Sequence, residues 1–360
     1  MKIKTIGSHK TILSNPQSKH GYFGWPTVTI LKNGKIAVGA SGYRIGHVCP
    51  FGKAVLAISE NEGESYTHPF PVIDTVLDDR DVGLCPFGKS GLVLTSFNNT
   101  RQMQRAHCAD EPDEKRNYIL SYLETISDEE EKEAIGSTFK FSFDNGVTFG
   151  KMYKSPVTSP HGPIELSDGS LFWIGSMYRD DDAFSEEDVY LAAYQIDTDG
   201  RMTYLGRVDD TYENGEKLYA NEPYAVELPT GDILCHFRVE QTFTVYQTVS
   251  ADKGKTWSKP VRVLPDFGGA PVHLLQHSSG VLIAAYGYRQ APYEIRIMFS
   301  KDNGNTWDKD HTLYVNGISG DLGYPSTVEL KDGSLLTVFY AKAEENGPCV
   351  IMQQKWTLEE

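Results

Sequence analysis

The chain has 360 residues, with 34 Lys plus Arg against 49 Asp plus Glu, a formal charge of -15 at pH 7. That sign argues against a nucleic-acid or anionic-membrane partner held by backbone charge, and points to a small or neutral ligand. At 39% hydrophobic and 23% charged, with 33 Gly and 18 Pro, the composition is that of a folded protein rich in turn formers, neither disordered nor collagen-like.

The first residues, Met1-Lys2-Ile3-Lys4 and onward, lack the apolar core of a secretory signal, and no apolar run reaches membrane-spanning length. No membrane insertion is expected. A cytoplasmic setting is expected for the chain as it stands; a periplasmic or secreted one follows if a signal was removed. Residues 3–8 read as an isolated strand. A repeated unit then begins: an opener, Gly24-Trp25-Pro26, is followed some eight residues later by Asn33-Gly34 and an apolar strand. Strands are predicted at 26–31, 35–40, 53–59 and about 69–73. The same opener recurs at Arg80-Asp81-Val82, Ser159-Pro160-His161, Asn221-Glu222-Pro223, Gly269-Ala270-Pro271 and Gly323-Tyr324-Pro325. Six openers imply six four-stranded units, each the size of one propeller blade. The sixth ends near Ile351–Trp356 with one strand too few, and the isolated amino-terminal strand supplies it. The predicted fold is therefore all-β: a six-bladed β-propeller of four-stranded antiparallel blades, the N-terminal strand closing the last blade, in a single domain over residues 1–360.

A second repeat marks the turn after each third strand: Ser59–Tyr66, Ser142–Phe149, Ser250–Trp257 and Ser300–Trp307, with a degenerate copy at Asp197-Thr198-Asp199-Gly200. In each full copy an Asp or Asn can accept the amides of its own turn, a Gly can take positive φ and an aromatic can pack between layers. These turns are folding devices. Two insertions interrupt the spacing. One, about 98–136, carries Arg101, Arg105, His107 and an acidic run at 127–133 that reads as a solvated short helix; its basic part is expected over one mouth of the channel. The other, 177–188, is acidic but lacks the turn glycine of a calcium loop.

Five cysteines, odd in number and without a CxxC pair, indicate neither a disulfide framework nor a thiolate zinc site, and are read as buried thiols. Ten histidines form no HExxH or close pair, so no metal and no cofactor are expected.

Propeller sites gather where inner strands begin. The opener residues Asp81, Glu222 and Tyr324, with His161 nearby, are expected to face one cavity; the alternative is that the two carboxylates bond neighbouring amides or Arg80. Arginines recur at the ends of second strands: Arg44 in Gly42-Tyr43-Arg44, Arg238 in His236-Phe237-Arg238, and Arg289 in Gly287-Tyr288-Arg289. Pointing inward they make a cationic pocket for a carboxylate; otherwise each neutralises a neighbouring acid. Trp25 and Tyr43 are candidate stacking surfaces for a sugar.

The four turns resemble the Asp-box, or BNR, repeats of the sialidase superfamily, and the chain is similar to its six-bladed members from end to end. That resemblance implies a tyrosine nucleophile partnered by a glutamate, an aspartate acid/base and three arginines on the substrate carboxylate. Tyr324 in Gly323-Tyr324-Pro325-Ser326-Thr327 looks like the tyrosine and Glu222 like its partner. Arg238 resembles the second arginine, Arg289 or Arg296 the third, and Arg80-Asp81 a common opener. Two features depart from the family: Trp25 stands where an arginine belongs, and Ile45–Pro50 lacks the expected aspartate. The departures point to a related acidic sugar such as a uronate, or a neutral sugar stacked on Trp25, with His47, His161 or Asp81 protonating the leaving oxygen. The implied activity is glycoside hydrolysis at a chain end, on a carbohydrate substrate. The alternatives are a non-catalytic glycan-binding propeller and a histidine-dependent sugar hydrolase or lyase on the same fold.

Overall fold

The computed structural model describes residues 1–178, 189–211 and 215–359; most of the acidic insertion expected at 177–188 lies outside them. Strand β1 (Lys2–Leu13) comes first. Blade one follows with β2 (Tyr22–Ile30), β3 (Ile36–Arg44), β4 (Lys53–Ser59) and β5 (Phe70–Ile73). Blade two has β6 (Arg80–Phe87) and β7 (Gly91–Phe97), then helices α1 (Arg101–His107), α2 (Asp113–Leu123) and α3 (Asp128–Ala134), then β8 (Ser137–Ser142) and β9 (Met152–Ser155). Blade three comprises β10 (Val157–Thr158), β11 (Ile164–Glu165), β12 (Leu171–Met177), β13 (Leu191–Ile196) and β14 (Met202–Arg207). Blade four is β15 (Ala220–Glu227), β16 (Ile233–Val239), β17 (Thr244–Ser250) and β18 (Val261–Arg262). Blade five is β19 (Val272–Gln276), β20 (Leu282–Tyr288), β21 (Glu294–Ser300) and β22 (Asp308–Tyr314). Blade six joins β23 (Gly323–Glu329), β24 (Leu335–Lys342) and β25 (Cys349–Glu359) to β1, in the order β1-β25-β24-β23.

The inner strands touch one another in sequence around the axis, β2 to β6, β6 to β11, β12 to β15, β15 to β19, β19 to β23 and β23 back to β2. Both faces of a central strand are therefore covered, and such strands read as nearly continuous apolar runs: Ile233-Leu234-Cys235-His236-Phe237 is buried throughout. The core is accordingly split into six clusters, one between each pair of neighbouring blades; one joins Val28, Val38 and Val55 to Leu336, Val338 and Ile351. A separate small core of Leu77, Cys108, Ile119, Leu123 and Ile126 seats the helical insertion. The ring closes by antiparallel pairing of β1 with β25 from Lys2 opposite Glu359 to Leu13 opposite Ile351. Lys2, Lys4 and Lys10 lie along this outermost strand, a common guard on an exposed sheet edge.

The acidic run is α3, opened by a capping box in which the Ser127 hydroxyl accepts from the Glu130 amide and Glu130 reaches back. Blade three departs from expectation: its inner strand breaks at 159–163, because Pro160 and Pro163 have no N–H to give the ladder and Gly162 takes φ 79°. All five cysteines are buried free thiols. Among the described residues no helix is long and apolar enough to cross a membrane.

Each Asp-box closes the end of its blade opposite the strand openers. In all four, the opening serine hydroxyl accepts from the glycine amide at 2.8–2.9 Å, and Asn61, Asp144, Asp252 or Asp302 accepts the amide four residues on at 2.8–2.9 Å. At the same end, glutamates that finish inner strands latch onto the preceding blade. Glu165 accepts from the Gly88 amide (2.7 Å), Glu227 from the Ser167 amide and hydroxyl (2.6 and 2.8 Å), and Glu329 from the Ser278 amide (2.8 Å). Gln276 stands at this place in blade five, where the preceding turn has Pro229 and hence no N–H; both ends of its amide are buried without a partner. Glu227→Ala is expected to cost about 1 kcal/mol, the net worth of a charge-assisted bond at a partly exposed site. A denaturation midpoint at unchanged slope measures it.

Candidate active site

The openers share one backbone device. In blades one, two, four and six, two inner-strand residues face one on the neighbouring strand, giving a bulge between Gly24 and Thr27, Arg80 and Gly83, Asn221 and Tyr224, and Gly323 and Ser326. Within each bulge one non-glycine residue takes left-handed backbone: Trp25 (φ 53°), Asp81 (38°), Glu222 (49°) and Tyr324 (48°). Bulges re-aim side chains. A side chain that would alternate across the pleat is turned toward the axis, at a conformational cost of order 1 kcal/mol each.

Three of these side chains gather with two arginines. The Tyr324 hydroxyl donates to Glu222 Oε1. Arg238 Nη1 lies 2.8 Å from Glu222 Oε2, poorly aligned for a hydrogen bond, so the contact is one of charge. Arg238 is fixed from behind by Asn221 (3.0 Å) and Glu240 (2.6 Å). Arg289 donates from Nε to the Leu322 carbonyl (2.9 Å) and from Nη2 to the Tyr340 hydroxyl (2.7 Å), and its guanidinium lies 5.4 Å from the Tyr324 ring centre. No carboxylate of the described residues forms an ion pair with it. Burial, reinforced by Glu222 and Asp81, pushes the Tyr324 phenol well above its ordinary value against the pull of Arg238 and Arg289. It stays protonated until a base takes the proton.

Asp81 is buried beside this group, and its Oδ1 has no hydrogen-bond partner. Burial raises its carboxyl to about 7, Arg80 opposing and Glu222 adding to the rise. Such a group can hold or release a proton at neutral pH. The raised value also ties stability to pH. Between the unfolded carboxyl value near 4 and about 7 the folded state binds the extra proton, so this contribution to stability declines as pH rises through that window. Asp81→Asn removes the cost of ionisation, so its melting temperature relative to the parent is expected to rise by at least about 2 °C between pH 5 and pH 8. A difference independent of pH contradicts the assignment.

His47 sits at the rim, 44% exposed, with Nδ1 2.8 Å from Asp321 Oδ1. Burial, with Arg80 and Arg289 nearby, holds its basicity below the usual imidazole value despite Asp321. Burial works against ionisation of Asp321, but His47, Cys349 and Tyr22 hold it at about 2. The Tyr22 hydroxyl reaches both Asp321 oxygens at 3.1 Å.

Several expected site residues lie elsewhere. Arg44 is 0% exposed and bound through two nitrogens to the equally buried Asp78, so it meets no ligand; its Nη2 instead holds the His47 carbonyl at 3.0 Å. Trp25 is 1% exposed, with the Arg44 and Arg80 guanidiniums 4.8 and 4.2 Å from its ring and His47 at its edge, which removes it as a stacking surface. Tyr43 turns outward, packs on Phe23 and donates to the Pro69 carbonyl at 2.9 Å. Arg296 is paired with Glu294 (2.6 Å) in blade five, which leaves Arg289 at the cluster. His161 is buried, its ring against Tyr224 and His273; burial alone lowers it to about 3, so it is neutral and shut off from solvent proton exchange. A cavity of about 670 Å³ opens at the opposite end of the ring. Its Lys32 and Glu165 are paired at 2.6 Å and Glu227 is bound to Ser167, so charge is already satisfied there. Residues unforeseen in the sequence are Asp78, Tyr22, Asp321, Tyr340, Asn221, Glu240 and Phe243, whose ring centre lies 5.1 Å from the Arg238 guanidinium.

Six blades, Asp-box turns at one end and a polar cluster at the other define a propeller of the BNR type. The BNR repeat-like domain matches residues 114–337, and the chain belongs to that family. No curated protein matches it in sequence. Among solved structures, a Dyadobacter fermentans protein of unknown function has a TM-score of 0.77 at 20% identity, with 99% of both chains covered. The intramolecular trans-sialidase of Ruminococcus gnavus has a TM-score of 0.68 at 15% identity, covering 98% of this chain and 99% of that one. Trypanosoma rangeli sialidase has a TM-score of 0.65 at 15% identity, covering 98% of this chain but 59% of that one. At these identities the likeness is one of fold.

Proposed function

We propose that the chain is a glycoside hydrolase that releases a terminal acidic sugar from a glycan. The observation that carries the reading is the Tyr324 hydroxyl bonded to Glu222, with Arg238 on the other oxygen of the same carboxylate. A phenol is a weak nucleophile without a base, and Glu222 is in place to take its proton. Tyr324 Oη bonds to the anomeric carbon as the bond to the leaving oxygen breaks; Asp81 gives that oxygen its proton. Water then attacks the same carbon, yielding its proton to Asp81, and the phenolate leaves and recovers its own from Glu222. Arg289, having no carboxylate partner among the described residues, takes the sugar carboxylate with a guanidinium fork. An acid near 7 predicts that turnover falls as pH rises above neutrality. Umbelliferyl glycosides of N-acetylneuraminate, glucuronate, galacturonate and glucose form the assay; release from an acidic glycoside is expected, and no release from any of them overturns the reading.

A second reading rests on the His47–Asp321 pair at 2.8 Å. His47 takes the proton next to a uronate carboxylate, the leaving oxygen departs from the adjoining carbon with a proton from Asp81, and a double bond forms. An unsaturated product lost in His47→Ala identifies this chemistry, and a saturated free sugar identifies hydrolysis.

A further inference from the structure

We propose that Glu240 is a specificity-determining residue: by cancelling Arg238 it leaves Arg289 as the one place for an anion, so the site takes a sugar with a single negative group and repels a second. The inference rests on the reading of the two arginines as part of the sugar site, and adds which acidic sugars that site accepts.

The first observation is that the two arginines are differently surrounded. Arg238 donates from Nη2 to Glu240 (2.6 Å) and from Nε to Asn221 (3.0 Å), with Glu222 Oε2 2.8 Å from Nη1, so two carboxylates stand against one cation. Arg289 meets uncharged oxygens, the Leu322 carbonyl and the Tyr340 hydroxyl, and among the described residues its Nη1 makes no hydrogen bond. One ring joins the two: the Phe243 ring centre lies 5.1 Å from the Arg238 guanidinium and 5.9 Å from that of Arg289. A ligand held at either cation therefore feels the charge around the other, because partly buried charges this close are weakly screened.

The second observation is the kind of carboxylate Glu240 is. It opens the hairpin between β16 and β17, its amide donating to the Tyr219 carbonyl (3.0 Å) and its carboxylate accepting from Asn221 Nδ2 (2.9 Å) as well as from Arg238. Its side chain is 52% exposed, unlike Asp78, the buried counter-ion of Arg44. Arg238 already has Glu222, so an exposed second partner adds little to stability. What it changes is the charge that a ligand meets: one excess negative charge around Arg238, one uncompensated positive charge at Arg289. The first sugar carboxylate goes to Arg289, and a further negative group is repelled by about 1 kcal/mol or more.

The test is a ligand-observed NMR titration of the whole chain at fixed ionic strength with two matched pairs: glucuronate and its 1-phosphate, and N-acetylneuraminate and its 9-phosphate. The wild type is expected to bind the unphosphorylated member of at least one pair more tightly, by at least about tenfold. Glu240→Gln keeps an acceptor for Arg238 and Asn221 and removes the charge; it should cut that preference at least about fivefold, with a melting temperature within about 2 °C of the parent. Asp310→Asn, which removes the same charge from the 75% exposed Asp310 on β22, should leave the preference in place. Binding of neither unphosphorylated sugar, no preference in the wild type, a preference unchanged in Glu240→Gln, an equal fall in Asp310→Asn, or an equal weakening of both members in an unstable Glu240→Gln each overturns the inference. Umbelliferyl release separates it from the hydrolase reading: release of an acidic sugar with the preference unchanged in Glu240→Gln leaves the hydrolase alone standing, and the shifted preference without any release leaves the charge selectivity alone standing.

Discussion

Tyr324→Phe is expected to lower release of the terminal sugar by about a thousandfold or more while shifting the melting temperature by no more than about 2 °C. The two numbers come from different parts of the same side chain. Its ring is held by Trp25, Tyr340 and Arg289, contacts that phenylalanine keeps. The hydroxyl contributes one hydrogen bond to Glu222, with a net worth of about 1 kcal/mol. Glu222 is left with Arg238, so no bare buried charge appears. The chemical step has no such fallback, because the atom that bonds to the anomeric carbon is gone. Glu222→Gln makes the complementary point: the amide oxygen still accepts from the phenol but cannot take its proton, and Arg238 retains Glu240. Rates measured on the best acidic glycoside, beside thermal melts, check both. More than a tenth of the activity surviving in Tyr324→Phe removes the nucleophile.

The architecture was legible because it is written in repeats. An opener and an Asp-box recur at blade spacing, and the Asp-box is a local device whose residues contact their own turn, so one chain segment suffices to read it. Glu222 with Tyr324 was legible for a similar reason, since both occupy the same slot in different blades. Arg44 was not. The Gly-Tyr-Arg of blades one and five is alike in sequence, yet Arg44 meets Asp78 from the following connector, whereas Arg289 meets the Leu322 carbonyl and the Tyr340 hydroxyl. What decides the fate of each arginine is a residue from another segment. A signal was present even so: Tyr22, Asp78 and Asp321 each stand three residues before the re-aimed residue of an opener; Tyr22 and Asp321 bond to His47 at the rim, and Asp78 to the buried Arg44 behind it. Burial of Trp25 and Tyr43's outward turn carry no such mark, because side-chain exposure depends on the loops that settle over them.

Asp78→Asn is expected to cost about 3–5 kcal/mol, the range for removing one partner of a buried ion pair. Asp78 and Arg44 are both 0% exposed, and the same carboxylate also accepts from Arg80 and Gln104 at 3.2 Å each. The asparagine has the right shape but turns an NH2 toward guanidinium donors and leaves two buried cations without a counter-charge. Against a total stability of about 5–15 kcal/mol the loss is large. It should also reach the site, because Arg44 Nη2 and Arg80 Nη1 both hold the His47 carbonyl at 3.0 Å, and a slack pair lets the His47 loop drift from Asp321. The double variant Arg44→Met with Asp78→Asn separates charge from packing. Replacing Arg44 as well takes away one of the two cations that the asparagine leaves unpaired, so the double variant is expected to be more stable than Asp78→Asn alone. Urea denaturation of the parent, the single variants and the double variant closes the cycle. A single-variant loss below about 1 kcal/mol, or a double variant no better than Asp78→Asn, means that packing rather than charge holds this wall of the site.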